Sequence, residues 1–255
     1  MSIDQKIKWT KGWRDYPEAY MKLKTPSVTG IIKDMVPDPD FDKFVEEVGK
    51  ERADQIMKDA GDRGTAMHQY IELFVTNYMT SKDASYSIEK AIREGKELLV
   101  KESIPSAKIE EGCKYFYNYY ESGHFSNISK LIGVEIPIYS PSLFFRGKGD
   151  LAYINTLSNY VSTDYKTSSA LISSGSVKET KYKLQIGGYS IAFEEMYAAQ
   201  GKHISFADGE IVCVVTKTGN VQTINISGDE MYHYKQEFKK LAKQWHLNNN
   251  QSFLF

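Results

Sequence analysis

Cysteine is scarce in this chain: Cys113 and Cys213 are the only two, and they lie far apart. They cannot build a four-cysteine zinc or iron–sulfur site, and buried free thiols are their plainest role. Long apolar runs are missing as well. Nothing approaches the ~20 consecutive apolar residues of a membrane helix, so no membrane partner is expected. Positive charge is not in excess either. With 32 Lys and Arg against 33 Asp and Glu the formal net charge is −1, which argues against a protein that coats nucleic acid through bulk charge. An enzyme that grips a few phosphates with local lysines and a bound metal remains compatible. The opening Met1-Ser2-Ile3-Asp4-Gln5 has neither a basic region leading into an apolar core nor an Arg-rich amphipathic pattern. Action in the compartment of synthesis, a cytoplasm, is therefore the expectation. Linkers, repeats and low-complexity blocks are absent. The 255 residues, 41% hydrophobic and 13% aromatic, suit one α/β domain spanning 1–255.

The first 125 residues read as mainly helical. Trp9, Trp13, Tyr16 and Tyr20 fall in an irregular aromatic stretch, followed by Pro26-Ser27-Val28-Thr29. Pro37 to Asp40 marks a turn, with Asp40 as a cap for a helix running from Phe41 to about Asp59. Gly61-Asp62-Arg63-Gly64-Thr65 is expected to break that helix, with Thr65 capping a second one that carries His68, Ile71, Glu72 and Val75. Helical spacing returns at Ser87 to Val100, and again after Pro105 with Phe116, Tyr119 and Tyr120. Residues 126–255 change character. Leu131–Tyr139, Phe144–Ile154 and Asn159–Tyr165 are short segments rich in β-branched and aromatic residues. A helix over Tyr182–Tyr197 comes next, then a hairpin turned by Thr218-Gly219-Asn220, and a last helix from about Asp229 to Trp245.

Three strand segments carry acids: Glu135 in Gly-Val-Glu-Ile-Pro, Asp150 in Arg-Gly-Lys-Gly-Asp, and Asp164 in Asp-Tyr-Lys-Thr-Ser. Alternation along a strand puts Asp164 and Lys166 on one face. Burying a carboxylate and an ammonium there is costly unless a divalent cation compensates. Carboxylate oxygens on neighbouring strands are the ligands that magnesium or manganese prefers. Such an ion polarises a phosphate and acidifies water, while Lys166 can orient the water or stabilise charge on the phosphate oxygens. That chemistry is phosphodiester hydrolysis.

The Gly149-Asp150 and Asp164-Tyr165-Lys166 pattern resembles the PD-(D/E)XK nuclease superfamily. Arg63-Gly64-Thr65-Ala66-Met67-His68 is similar to the helix that supplies a metal-ligating histidine in RecB-type exonucleases. Gln185-Ile186-Gly187-Gly188-Tyr189 matches the Gln-x-x-x-Tyr motif of that branch. Pro26-Ser27-Val28-Thr29 resembles a segment of the mitochondrial genome maintenance exonucleases and their phage and bacterial relatives. The likeness runs from about Thr25 to Trp245. It implies a restriction-endonuclease-like α/β core, a central mixed sheet flanked by helices, with a helical N-terminal portion arching over it. It also implies roles. His68, Asp150, Asp164 and the Tyr165 carbonyl bind Mg2+ or Mn2+, and Lys166 is the catalytic lysine. Glu135 stands beside the metal, and Gln185 and Tyr189 buttress the site or touch the strand being cut. Ser27, Thr29, Thr167 and Ser168 contact substrate. The Tyr165 side chain, where mitochondrial relatives tend to carry tryptophan, points to the other sheet face.

Simpler readings stand beside these. Asp164 and Lys166 alone make a same-face ion pair, a lone histidine is more often a core residue, and Gln185 and Tyr189, four apart, can simply pack a helix on the sheet. Glu72 reads as a hydrogen-bonding partner. The aromatics of 115–120 suit core packing more than base stacking. Lys178, Lys181 and Lys183 could track phosphates or form a solvated helix start. The combined expectation is a metal-dependent exonuclease acting on DNA with free ends, single-stranded or frayed, in replication, recombination or repair, in a bacterium or phage. The competing readings are a structure-selective endonuclease and a non-catalytic binding accessory working with replication or recombination proteins.

Overall fold

The computed structural model describes residues 25–251. Trp9, Trp13, Tyr16 and Tyr20 lie outside them. Helix α1 (Val28–Met35) begins where the Ser27 hydroxyl accepts the Gly30 N–H at 2.9 Å. Helix α2 (Pro39–Val48) is capped by Asp38, not by the expected Asp40: its carboxylate accepts the Phe41 N–H at 3.1 Å, and Pro39 starts the helix. Proline suits that place because its missing N–H would be unpaired there anyway. Gly49, at φ 81°, then separates α2 from α3 (Lys50–Ser81).

The expected break at Gly61–Thr65 is absent, because α3 runs unbroken through it for 32 residues. Two helical glycines cost only about 1 kcal/mol each relative to alanine. Ala66, Met67, Tyr70, Ile71, Phe74 and Val75, all buried, repay that by packing one face of α3 into the core. Asp83 caps α4 (Ala84–Lys101), accepting the Tyr86 N–H at 3.0 Å, and α5 (Ser106–Glu121) follows Pro105.

The sheet comprises β1 (Ile128–Ser140), β2 (Phe145–Asn155), β3 (Tyr160–Ser168), β4 (Asp208–Val215) and β5 (Val221–Ser227). Its spatial order follows the chain, β1-β2-β3-β4-β5. Only β3 and β4 are parallel. Their connection is α6 (Val177–Ala198), as a parallel pair requires. The hairpin expected around Gly219 joins β4 to β5, and α7 (Gly228–Asn248) closes the fold.

Helices cover both faces. On one, Phe74, Phe116 and Tyr119 from α3 and α5 pack on Leu151, Tyr153 and Tyr165. On the other, Val28 of α1, Phe193 of α6 and Phe238 of α7 pack on Ile136, Ile138 and Ala152. Each large aliphatic or phenylalanine side chain among them contributes about 1.5–3 kcal/mol by leaving water. The Tyr115, Phe116 and Tyr119 rings are buried core, the plainer of their two readings. The result is the expected mixed sheet flanked by helices. No helix among the described residues is long and apolar enough to cross a membrane.

Candidate metal and catalytic site

Register places the acids. The β1–β2 ladder pairs Val134 with Leu151 and Ile136 with Gly149, which sets Glu135 opposite Asp150. The β2–β3 ladder ends at Leu151 with Thr163, so Asp150 and Asp164 follow at the point where pairing stops. The three carboxylates thus form a row across three neighbouring strands. Where the ladder ends, the Tyr165 N–H donates to Asp150 Oδ2 at 2.8 Å. Glu135 has φ 50°, a left-handed conformation that costs a non-glycine residue of order 1–3 kcal/mol and persists where the surroundings impose it.

His68 reaches this row from α3. Its Nε2 donates to the Tyr165 carbonyl at 3.0 Å, so Nδ1 faces Glu135 Oε1 at 3.6 Å and Asp150 Oδ2 at 3.5 Å. His68, Glu135 and Asp150 each offer a ligand atom within 4.8 Å of the others. Asp164 is placed differently. It is buried, its Oδ1 accepts from Gln185 Nε2 at 2.6 Å, and its Oδ2 lies 2.6 Å from the Lys166 ammonium. Gln185 Nε2 also donates to the Tyr189 hydroxyl at 2.7 Å, so the one-face spacing of Gln185 and Tyr189 on α6 serves a chain of contacts that ends on Asp164.

The electrostatics fit an acidic centre short of cations. Burial, with Asp164 and Glu135 nearby, pushes the Asp150 carboxyl up to about 7 against the pull of His68 and Lys166. Burial disfavours the His68 imidazolium, but Asp150 and Glu135 outweigh it and raise His68 to about 9. Burial likewise works against the Lys166 ammonium, yet Asp164 and Asp150 hold its pKa above the usual lysine value. With Nε2–H spent on the Tyr165 carbonyl, Nδ1 facing two carboxylates must carry either a proton or a bound cation. A histidine nitrogen with carboxylate oxygens is a donor set that suits a divalent metal ion. The residues fit such an ion.

The remaining predicted residues have mixed fates. Ser27 and Thr29, with hydroxyls 3.2 Å apart, line a cleft of about 310 Å³ together with Arg146, Lys148 and Tyr189. The Ser168 hydroxyl accepts from Lys178 at 2.8 Å, and Thr167 pairs with Val214 on the β4 side. Lys181 is held by Asp38 at 3.0 Å, and Lys183 by Glu179 at 3.0 Å and Glu230 at 2.7 Å. These lysines therefore contact protein partners. Glu72 accepts from Gln69 at 3.2 Å.

Two contacts had escaped the sequence. The Tyr165 hydroxyl meets the Tyr119 hydroxyl at 3.3 Å beneath the sheet, which ties α5 to the strand that carries the motif. Lys148 forms an ion pair with Glu135. Strand alternation does put Lys148 on the Asp150 face, but its partner lies on another strand and needed the register.

A helix-borne imidazole and strand carboxylates, with an adjacent Asp-x-Lys pair, come together on a mixed sheet as a donor set that suits a divalent ion. The chain belongs to the PD-(D/E)XK nuclease superfamily, whose family model matches residues 41–253. Members are metal-dependent hydrolases of nucleic acid. The curated proteins include no match. A solved structure titled "Crystal structure of SSO0001" aligns over 94% of this chain and 87% of its own, at 12% identity and a TM-score of 0.32.

Proposed function

We propose that the protein is a Mg2+- or Mn2+-dependent exodeoxyribonuclease of the RecB-type branch, which hydrolyses DNA from free ends and prefers single strands. The convergence of His68, Glu135 and Asp150, with Lys166 held beside Asp164, carries this reading. One domain serves the reaction. A cytoplasm in a bacterium or phage-infected cell, and a part in replication, recombination or repair, fit an enzyme of this kind.

His68, Glu135 and Asp150 would hold the ion; Asp164 and the Tyr165 carbonyl are the further candidates. When bound, the ion supplies Lewis-acid polarisation of the phosphodiester. The protein does the positioning. Gln185 fixes one oxygen of Asp164, and the other oxygen holds the Lys166 ammonium in its charged form. A cation there stabilises charge that builds on the phosphate oxygens and orients the attacking water. The Tyr165 backbone joins Asp150 to His68 through its N–H and its carbonyl, so both stay fixed relative to Lys166, the next residue along the strand. The cleft of Ser27 and Thr29 offers hydroxyls and the α1 N-terminus to a neighbouring phosphate.

A time course on 5′- and 3′-labelled linear single strands, with a circular single strand beside them, tests the proposal. Release of mononucleotides or short oligonucleotides from one labelled end, only with the ion and with the circle intact, is the expected result. Cutting of the circle would instead make the protein a structure-selective endonuclease, and no cutting of any substrate would leave only the accessory role.

A further inference from the structure

Lys148 stands apart from the other lysines near the site. Its side chain is 62% exposed, yet its ammonium is paired with Glu135, whose side chain is only 12% exposed. A long arm reaching in from solvent to a largely buried acid gives up side-chain freedom to make that pair. Glu72 and Asp150 also face it and add negative field. Lys178, Lys181 and Lys183 are held by Ser168, Asp38, Glu179 and Glu230, none of which belongs to the His68–Glu135–Asp150 cluster. Lys148 is held by a member of it. The same side chain also lines the cleft of Ser27, Thr29 and Arg146, and Arg146 and Lys148 share a strand face.

We propose that Lys148 is a substrate-phosphate contact kept in reserve: it neutralises Glu135 until a divalent ion takes over that carboxylate, and it is then free to bind a DNA phosphate in the adjoining cleft. This rests on the nuclease reading and adds an order of events to it. The ion and the ammonium compete for one carboxylate, so each weakens the other's hold. DNA and the ion then favour each other, because the ion releases a cation that the phosphate can use. Without the ion, Lys148 only neutralises Glu135, and the acidic row repels the strand.

Two titrations on the full chain test it. In the first, manganese without DNA is titrated calorimetrically into the protein and into Lys148→Ala. Loss of the competing ammonium should tighten ion binding about two- to fivefold. In the second, anisotropy of a fluorescein-labelled single-stranded oligonucleotide is followed in calcium and in EDTA, with the oligonucleotide checked on a gel for integrity. In calcium Lys148→Ala should bind about tenfold more weakly, with a log–log salt slope shallower by about 0.7. In EDTA the loss should be much smaller, since there only its neutralisation of Glu135 is removed. Glu135→Gln should strengthen binding in EDTA, and that gain should be much smaller in the Lys148→Ala background, where only the repulsion by Glu135 is relieved. A gain from lost negative charge alone would be undiminished there.

A variant that binds manganese no more tightly, or that loses DNA affinity equally with and without calcium, overturns the proposal and leaves the nuclease reading standing. Failure of the unaltered protein to bind DNA in either buffer overturns both.

Discussion

Gly112→Ala is the sharpest test of how the helices carry the site. A Cβ built at Gly112 on α5 would lie 2.3 Å from Ala66 Cβ, 2.8 Å from the Met67 nitrogen and 3.0 Å from the Ala66 carbonyl carbon. Two of those neighbours are α3 backbone and the third is a methyl with no rotamer to change, so the strain cannot be relieved by a side-chain flip. The helices must part, and His68 follows directly on Ala66 and Met67. Overpacking of this kind costs about 1–3 kcal/mol, and contact with backbone places it at the upper end. Replacing a helical glycine by alanine returns up to about 1 kcal/mol. The net is a loss of about 2 kcal/mol, which for a domain of this size lowers Tm by about 4–8 °C. Gly61→Ala and Gly64→Ala on α3 are the controls. Nothing lies within 4 Å of a Cβ at either position, so each should gain up to about 1 kcal/mol. Urea denaturation followed by far-UV circular dichroism measures all three, and a manganese titration of Gly112→Ala should show weaker ion binding as His68 shifts. A Gly112→Ala protein as stable as the parent, or a destabilised Gly61→Ala, would refute the reasoning.

Lys166→Ala should lower the cleavage rate by about 10²–10³-fold or more while oligonucleotide binding persists, as single-turnover assays and anisotropy would reveal; unchanged turnover removes the central assignment. His68→Ala should raise the manganese concentration for half-maximal rate by at least about tenfold, and an unshifted titration makes it a core histidine. Acid stability should depend on Glu210, which is paired across the β3–β4 ladder with Thr163. Burial opposes its charge, but His124, Tyr153 and Thr163 outweigh it and hold its pKa below the usual 4.5. Its folded-state pKa is depressed, so its stabilisation is complete above 4.5 and is lost as pH falls through the folded value. Glu210→Gln should therefore flatten the fall of the urea midpoint between pH 5 and 3, and an unaltered profile would show that the group contributes nothing.

Much of this protein was legible locally. Enrichment in β-branched and aromatic residues marked the strands, the Thr218-Gly219-Asn220 turn marked the β4–β5 hairpin, and Asp164, Lys166, Asp150 and His68 stood out by residue type and order. The errors were local signals that tertiary packing overrode. Gly61 and Gly64 read as a break, yet the buried face of α3 carries the helix through them. Asp40 read as a cap, where Asp38 before Pro39 does that work. The Tyr165 side chain does point to the far face, where its hydroxyl meets Tyr119.

Sequence alone determined the chemistry on offer: which side chains can ligate a hard cation, which can carry charge next to a phosphate, and on which strand face each must lie. Register and packing decided which of them meet. The β1–β2–β3 ladders bring Glu135, Asp150 and Asp164 into one row, the left-handed turn of the backbone at Glu135 accompanies its place facing His68, and continuous α3 delivers the imidazole. These are contacts between residues far apart in the chain, and the period of a strand or a helix carries no information about its partner.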